Sequence, residues 1–301
     1  MTGSPSSSGA EPLRPRREVR HELGGRPVRA LESGKPGSPV ALLLHGLPGS
    51  AEDWNRLGAL LAADFHVVAI DRPGYGGSGP EALPVEDQVE LYAAVLREVS
   101  GVGPALVAGH SYGAVPAALL ASRHPDLVGA LGLLAPALRE RREARELPPG
   151  LDALGRLVAQ PAVAALVRGT LLSEPGRALL AKVLDPTTFA PDPVDEEHLA
   201  GVRERTLRWD AIRSAVREGT ALVREGETVD QLLPLLDVPA AVIHAAGDRV
   251  VSPNAGRRTA HSIPGCALHE LEGGHMLTVS RAGEVAPLLR AVAVRGGLLP
   301  S

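Results

Sequence analysis

The sequence predicts an α/β fold built on a mostly parallel sheet, and three observations carry that expectation. Short apolar runs bounded by turn residues recur along the chain. Segments of helical periodicity fill the gaps between those runs. A long interval rich in Arg and Glu then interrupts the alternation before strand and helix resume.

The elements follow in order. Residues 1–17 are rich in Ser, Pro, Gly and Arg and read as a disordered tail. Glu18–Glu22 and Pro27–Glu32 flank Gly24–Gly25, the pattern of an antiparallel hairpin. Val40–His45, Val67–Asp71, Ala105–His110 and Leu131–Ala135 are apolar on both alternating faces, as strands covered on both sides must be. Asp53–Ala63, Pro84–Val99 and Tyr112–His124 supply the helices between them, with right-handed crossovers. The alternation resumes with a strand at Val238–Ala246, a helix near Asn254–His261, a strand at Ala267–Leu271 and a last helix near Arg281–Val294.

The domain expectation follows: a core from residues 18–137 and 237–301, with a helical cap over 138–236. Short amphipathic helices are expected in the cap, one around Leu151, Leu154, Leu157 and Val158. Breaks are expected at Pro148–Pro149, Pro161, Pro186 and Pro191–Pro193. Its arginines Arg203, Arg205, Arg208 and Arg213 alternate with Glu204, Asp210 and Glu218 and read as a solvated face.

Composition narrows the function. A net charge of −4 leaves no cation excess to meet phosphates, so no nucleic-acid partner is expected. No apolar run reaches membrane-spanning length and the N-terminus lacks a signal-peptide stretch, so a cytoplasmic protein without membrane contact is expected. The single cysteine, Cys266, excludes an internal disulfide. Aromatics are only 2% of residues, so aliphatic side chains must fill the core and wall any pocket.

Gly109-His110-Ser111-Tyr112-Gly113 carries the chemistry: G-x-S-x-G between an apolar strand and an Ala/Leu helix. That turn forces the serine into strained backbone angles and raises its hydroxyl above the sheet edge. A serine hydroxyl needs a base to become a nucleophile. His275 lies in the Gly273–Gly274 loop after a strand near the C-terminus, although a histidine in such a loop is by itself equally consistent with simple exposure. Asp248 ends the strand Val238–Ala246, where catalytic groups of parallel sheets gather. The alternative is an aspartate that caps the next helix. The order Ser111, Asp248, His275 fits a triad in which the acid orients the base. Asp71, which precedes the serine, is assigned to the turn Asp71–Ser78. The amides of Leu47 and Tyr112 are the expected oxyanion donors, since Pro48 has no N–H. His45 and His110 read as structural. Trp54, Tyr112, Trp209, Val250 and Met276 are expected to contact substrate, with core packing the competing role for Tyr112.

HGLPGS at 45–50, DRPGYGGS at 71–78, GHSYG at 109–113, GDRVVSP at 247–253 and GGH at 273–275 resemble the α/β-hydrolase superfamily. They are similar to its capped esterase, haloperoxidase-like and carbon–carbon-bond hydrolase members. The resemblance spans Arg26 to Val294. It implies an eight-stranded, mostly parallel sheet with a helical cap after the sixth strand, and neither metal nor organic cofactor. Relatives that open epoxides or remove halides carry aspartate where Ser111 stands, so the resemblance does not extend to those reactions.

The leading expectation is hydrolysis of a carboxylic ester or thioester of a small-molecule acyl substrate, by a monomer or simple homodimer. Carbon–carbon-bond hydrolysis or haloperoxidase-like perhydrolysis would use the same triad. A ligand-binding receptor on a hydrolase fold is the non-enzymatic alternative, as plant hormone receptors illustrate.

Overall fold

The hairpin opens the chain: β1 (Arg16–Leu23) turns at Gly24 and Gly25, both at positive φ, into β2 (Arg26–Ser33). A computed structural model describes residues 16–100, 103–138, 165, 168–170 and 172–301. The first strand takes in the last two residues of the expected tail, because Arg16 and Arg17 pair with Ser33 and Glu32 and Arg17 also reaches the Glu32 carboxylate at 3.4 Å. Composition alone places those arginines in the tail. Residues 1–15, the expected helix around Leu151–Val158 and the breaks at Pro148, Pro149 and Pro161 lie outside the described residues.

Next come β3 (Val40–Leu44), α1 (Asn55–Leu61), β4 (His66–Ile70), α2 (Val85–Val99), β5 (Ala105–His110), α3 (Ala114–Arg123) and β6 (Val128–Leu134). Beyond the cap lie β7 (Ala240–Ala245), α7 (Pro253–Ser262), β8 (Ala267–Leu271), α8 (Leu277–Ser280) and α9 (Ala282–Arg295). The eight strands form one sheet in the order β1-β2-β4-β3-β5-β6-β7-β8. β1 and β2 are antiparallel to their neighbours and every other ladder is parallel.

Burial explains the strand sequences. Every residue of β3, β4, β5 and β7 is buried, which is why these runs lack polar alternation. One core packs Leu42, Leu44, Val107 and Leu133 against Val89, Leu96, Val115 and Leu119 of α2 and α3. The other packs Leu43, Val67, Leu106 and Ile243 against Leu57, Leu61, Val285 and Leu289 of α1 and α9. At the edge, β8 alternates half-buried and exposed residues.

The described part of the cap holds α4 (Glu174–Phe189), α5 (Glu196–Thr206) and α6 (Trp209–Leu232). Two expectations are corrected here. Pro186 does not break its helix, because it sits exposed in the last turn of α4. The cap's helices are not all short, since α6 runs for 24 residues with no proline to stop it. α5 docks on the 3₁₀ turn at Ala51–Trp54, where Arg205 meets Glu52 at 3.0 Å and His198 lies 3.4 Å from Asp53. Among the described residues no helix is long and apolar enough to cross a membrane.

A buried ionic cluster ties β1 to the sheet. Glu32 lies 3.3 Å from His21 and 3.1 Å from His66. The hydrogen bond to Glu32 raises the His21 pKa above its ordinary 6.5. Burial pushes the Glu32 carboxyl up, but hydrogen bonds from His21 and His66 outweigh it and hold it well below the ordinary carboxylate range. The His21 contribution to stability is full below pH 6.5 and is lost as pH rises through the raised value. The Glu32 contribution is full above its ordinary 4.5 and is lost in acid. Thermal melts should therefore show Glu32→Gln most destabilised relative to wild type near pH 6, with the gap narrowing by about pH 8.5. A gap independent of pH would contradict this assignment.

Candidate active site

Ser111 has a φ of 54°, a left-handed conformation that side chains other than glycine rarely adopt. Its two glycine neighbours make the turn feasible. A Cβ on Gly109 would lie 2.3 Å from the Gly113 carbonyl oxygen, and one on Gly113 would lie 2.2 Å from that of Leu44. The turn is thus pressed against the end of β3 with no room for a methyl group. Gly46, in the loop leaving β3, faces Ser111 so closely that a Cβ there would be 3.0 Å from the Ser111 Cβ. The sequence pattern and the close approach are the same fact.

Asp248 follows β7 and meets His275, which follows β8. The His275 Nδ1 and Asp248 Oδ2 lie 2.8 Å apart, and both side chains are buried. The other carboxylate oxygen accepts from the amides of Val250 and Val251 at 2.8 and 3.0 Å. Burial pushes the Asp248 pKa up, but hydrogen bonds from His244 and His275 win and hold it well below the ordinary carboxylate range. A carboxylate kept ionised beside an imidazole Nδ1 fixes the ring tautomer and orientation.

Two further histidines support the pair. His244, on the same oxygen at 3.2 Å, was not singled out by sequence. The available signal was its position at the end of β7, four residues before Asp248. His110, expected to be structural, bonds through Nε2 to the His275 carbonyl at 2.9 Å and stacks obliquely on its ring at 4.7 Å. Burial, then the neighbouring His275, pushes His110 down to about 3, so it stays neutral and donates that bond. Asp71 is structural as well: it accepts from Arg29, Ala51 and Gly77 at 2.7–2.8 Å.

The cap crosses directly over this loop pair. A Cβ on Gly274 would lie 2.3 Å from the Phe189 oxygen and 2.4 Å from the Ala190 oxygen. One on Gly247 would lie 2.7 Å from Pro191. Asp192 accepts from the Gly274 amide at 3.2 Å and from Arg281 at 2.5 Å. The glycines that precede Asp248 and His275 are therefore contact points for the cap.

The expected substrate residues divide. Tyr112 and Trp54 are each only 1% exposed and pack in the two sheet cores, and Trp54 also lines a cavity with Leu31, Ala59 and Val67. In a chain so poor in aromatics, these large rings fill core volume. Val250 is exposed and serves Asp248 through its backbone amide. Met276 packs against the cap residues Phe189, Leu199 and Val202. Trp209 begins α6, half-buried.

Glu218 corrects the reading of a solvated cap face. It lies on the buried stripe of α6, which includes Ala211, Ser214 and Val229, and it grips Arg72 with bonds of 2.6 and 2.8 Å. Its four-residue spacing from Ser214 was the available signal. Among the other arginines of that face, Arg203 meets Glu196 at 3.3 Å, Arg208 meets Asp210 at 3.0 Å and Arg213 is exposed. Among the described residues, no three His, Cys, Asp or Glu side chains converge as metal ligands.

Comparison with known proteins agrees with this fold. A model of the alpha/beta hydrolase family matches residues 41–288. A 2-hydroxy-6-oxononadienedioate/2-hydroxy-6-oxononatrienedioate hydrolase of a Pseudomonas species is 26% identical over 213 residues, covering 70% of each chain. A pimeloyl-(acyl-carrier protein) methyl ester esterase of Neisseria meningitidis is 28% identical over 232 residues, covering 76% of this chain and 84% of that one. The crystal structure of the enol-lactonase from Burkholderia xenovorans LB400 superposes with a TM-score of 0.72 at 21% identity, over 92% of this chain and all of that one (100%). This last likeness concerns the fold.

Gly274→Ala must displace either the cap backbone or the His275 loop. We expect it to lower stability by about 1–3 kcal/mol in denaturant melts. Gly201→Ala, inside α5 with nothing within 4 Å, should be neutral or slightly stabilising. Equal melts for the two variants would contradict the close cap contact.

Proposed function

Because the chain belongs to the alpha/beta hydrolase family, we propose that it is a serine hydrolase that cleaves a carboxylic ester or thioester through an acyl-enzyme. The observation that carries this reading is the 2.8 Å bond between His275 Nδ1 and the buried Asp248 carboxylate, at the same sheet edge as the strained Ser111 turn. That bond leaves His275 Nε2 as the atom that exchanges protons with Ser111.

In this mechanism the Ser111 Oγ attacks the acyl carbonyl while His275 Nε2 takes its proton. The Leu47 and Tyr112 amides stabilise the oxyanion, each contributing about 3–4 kcal/mol to the transition state. The alcohol or thiol leaves with the proton from His275. Water, deprotonated by the same nitrogen, then clears the acyl-enzyme and regenerates Ser111. Asp248 stays ionised throughout and stabilises the imidazolium form.

Carbon–carbon-bond hydrolysis is the second reading, favoured by the likeness to the 2-hydroxy-6-oxononadienedioate hydrolase. A dicarboxylate substrate calls for free cations facing the serine. Among the described residues, the cap arginines considered for that role give no paired free cations, which supports the ester reading: Arg203, Arg205 and Arg208 each engage a carboxylate, and Arg213 is exposed.

Turnover of p-nitrophenyl esters from acetate to decanoate tests the proposal. Wild type should hydrolyse part of the series, and Ser111→Ala should abolish turnover. Asp248→Asn should lower kcat by about 10⁴-fold with little change in folding. Turnover that survives Ser111→Ala would refute the mechanism. Inactivity on every ester, with turnover of a vinylogous diketone, would select the second reading.

A further inference from the structure

Arg72 is a fully buried cation, and what surrounds it goes beyond neutralisation. Glu218 of α6 binds both terminal nitrogens, at 2.6 and 2.8 Å. Tyr75 and Gln88 hold Glu218 in turn, at 2.6 and 2.9 Å. The rings of Tyr75 and Tyr112 lie on the guanidinium, each with its centroid 4.8 Å from the central carbon. Nη1 also donates to Gln88 Oε1 at 3.3 Å, and the last two donors point at the loop leaving β3: Nε reaches the His45 carbonyl at 2.8 Å and Nη2 the Gly46 carbonyl at 3.0 Å.

The second of these bonds has a geometric consequence. The Gly46 carbonyl and the Leu47 N–H belong to one planar peptide unit, and the bond is trans because the cis bonds of the described chain are Leu47–Pro48 and Ala190–Pro191. In a trans peptide the C=O and N–H point in opposite directions. Whatever fixes the Gly46 oxygen therefore aims the Leu47 N–H. A second donor acts on the same oxygen. His45 Nε2 accepts from the Arg72 amide at 2.9 Å, so the ring proton is on Nδ1, which donates to the Gly46 oxygen at 2.8 Å. Burial, with the Arg72 charge beside it, holds His45 well below its ordinary pKa, which keeps the ring in this neutral form.

We propose that Arg72 is a positioning residue for the oxyanion site, aiming the Leu47 N–H through the Gly46 carbonyl, and that Glu218 places this function under the cap. The inference rests on the serine-hydrolase reading above. It gives the cap a second role, in which α6 not only covers the site but also supplies the carboxylate that aligns the guanidinium. An oxyanion donor acts on the tetrahedral species more than on bound substrate, so the effect falls on kcat and leaves KM nearly unchanged.

The test uses the full chain and its best p-nitrophenyl ester. Glu218→Gln keeps the shape and removes the charge that holds Arg72. We expect kcat to fall about 10- to 100-fold with KM within about threefold. The inhibition constant of an aryl trifluoromethyl ketone, whose adduct with the serine carries the oxyanion, should rise by a similar factor. Should Glu218→Gln not fold, the double variant Arg72→Met with Glu218→Met removes both buried charges and should show the same loss. Tyr75→Phe, which deletes only the hydroxyl on Glu218, should show a smaller loss of the same kind. A merely structural pair would lower the melting temperature while kcat of the folded protein and ketone affinity stay at wild-type values, and that result would overturn the proposal. A wild type inactive on every ester would instead remove the reading on which it rests.

Discussion

Backbone approaches backbone at the C-terminal edge of the sheet more closely than any side chain would allow, and the rest of the site is built on that constraint. Gly109 and Gly113 let the Ser111 turn sit against the end of β3. Gly46 lets the next loop close over the serine, and Gly247 and Gly274 let the cap lie on the loops bearing Asp248 and His275. A methyl group at these positions would meet backbone or side-chain atoms at about 2–3 Å, distances that force one element to move. Ser111 itself has a Cβ and still adopts a positive φ, so the surrounding contacts must hold it there.

Charge does the second part of the work. Among the described residues, the ion pairs that dock the cap include Arg205 and Glu52, Arg281 and Asp192, and Arg72 and Glu218, with Arg56 and Asp195 at 2.6 Å as a further pair. The first two are partly exposed on the arginine side and are screened by solvent. The third is buried on both sides, and a buried pair is weak evidence for stability because desolvation opposes the attraction. Its value is better sought in orientation, since the same guanidinium holds two successive backbone carbonyls beside Ser111.

Much of this was legible in the sequence. The apolar runs marked the parallel strands because those strands are buried on both faces, and β8 was located to the residue, at Ala267–Leu271. The Asp248–His275 pairing was legible from strand-end placement and chain order. What escaped is instructive. Glu218 looks like one charge among many on a polar helix, because its partner lies 146 residues away in the chain. Trp54 and Tyr112 read as pocket residues because rare aromatics attract functional readings, and their packing in the cores has no signature in the sequence. His244 carries no motif of its own. Its relation to Asp248 follows from the bend after β7, which returns the carboxylate to the end of the strand.

As the proposed nucleophile, Ser111 should form a covalent adduct with a phosphonylating reagent. Intact-protein mass spectrometry after incubation with a fluorophosphonate reads that directly. A single adduct per chain is expected, located by peptide mapping on the peptide that contains Ser111 and absent from Ser111→Ala and from heat-denatured protein. Labelling at another residue, or labelling of Ser111→Ala at the wild-type rate, would contradict it.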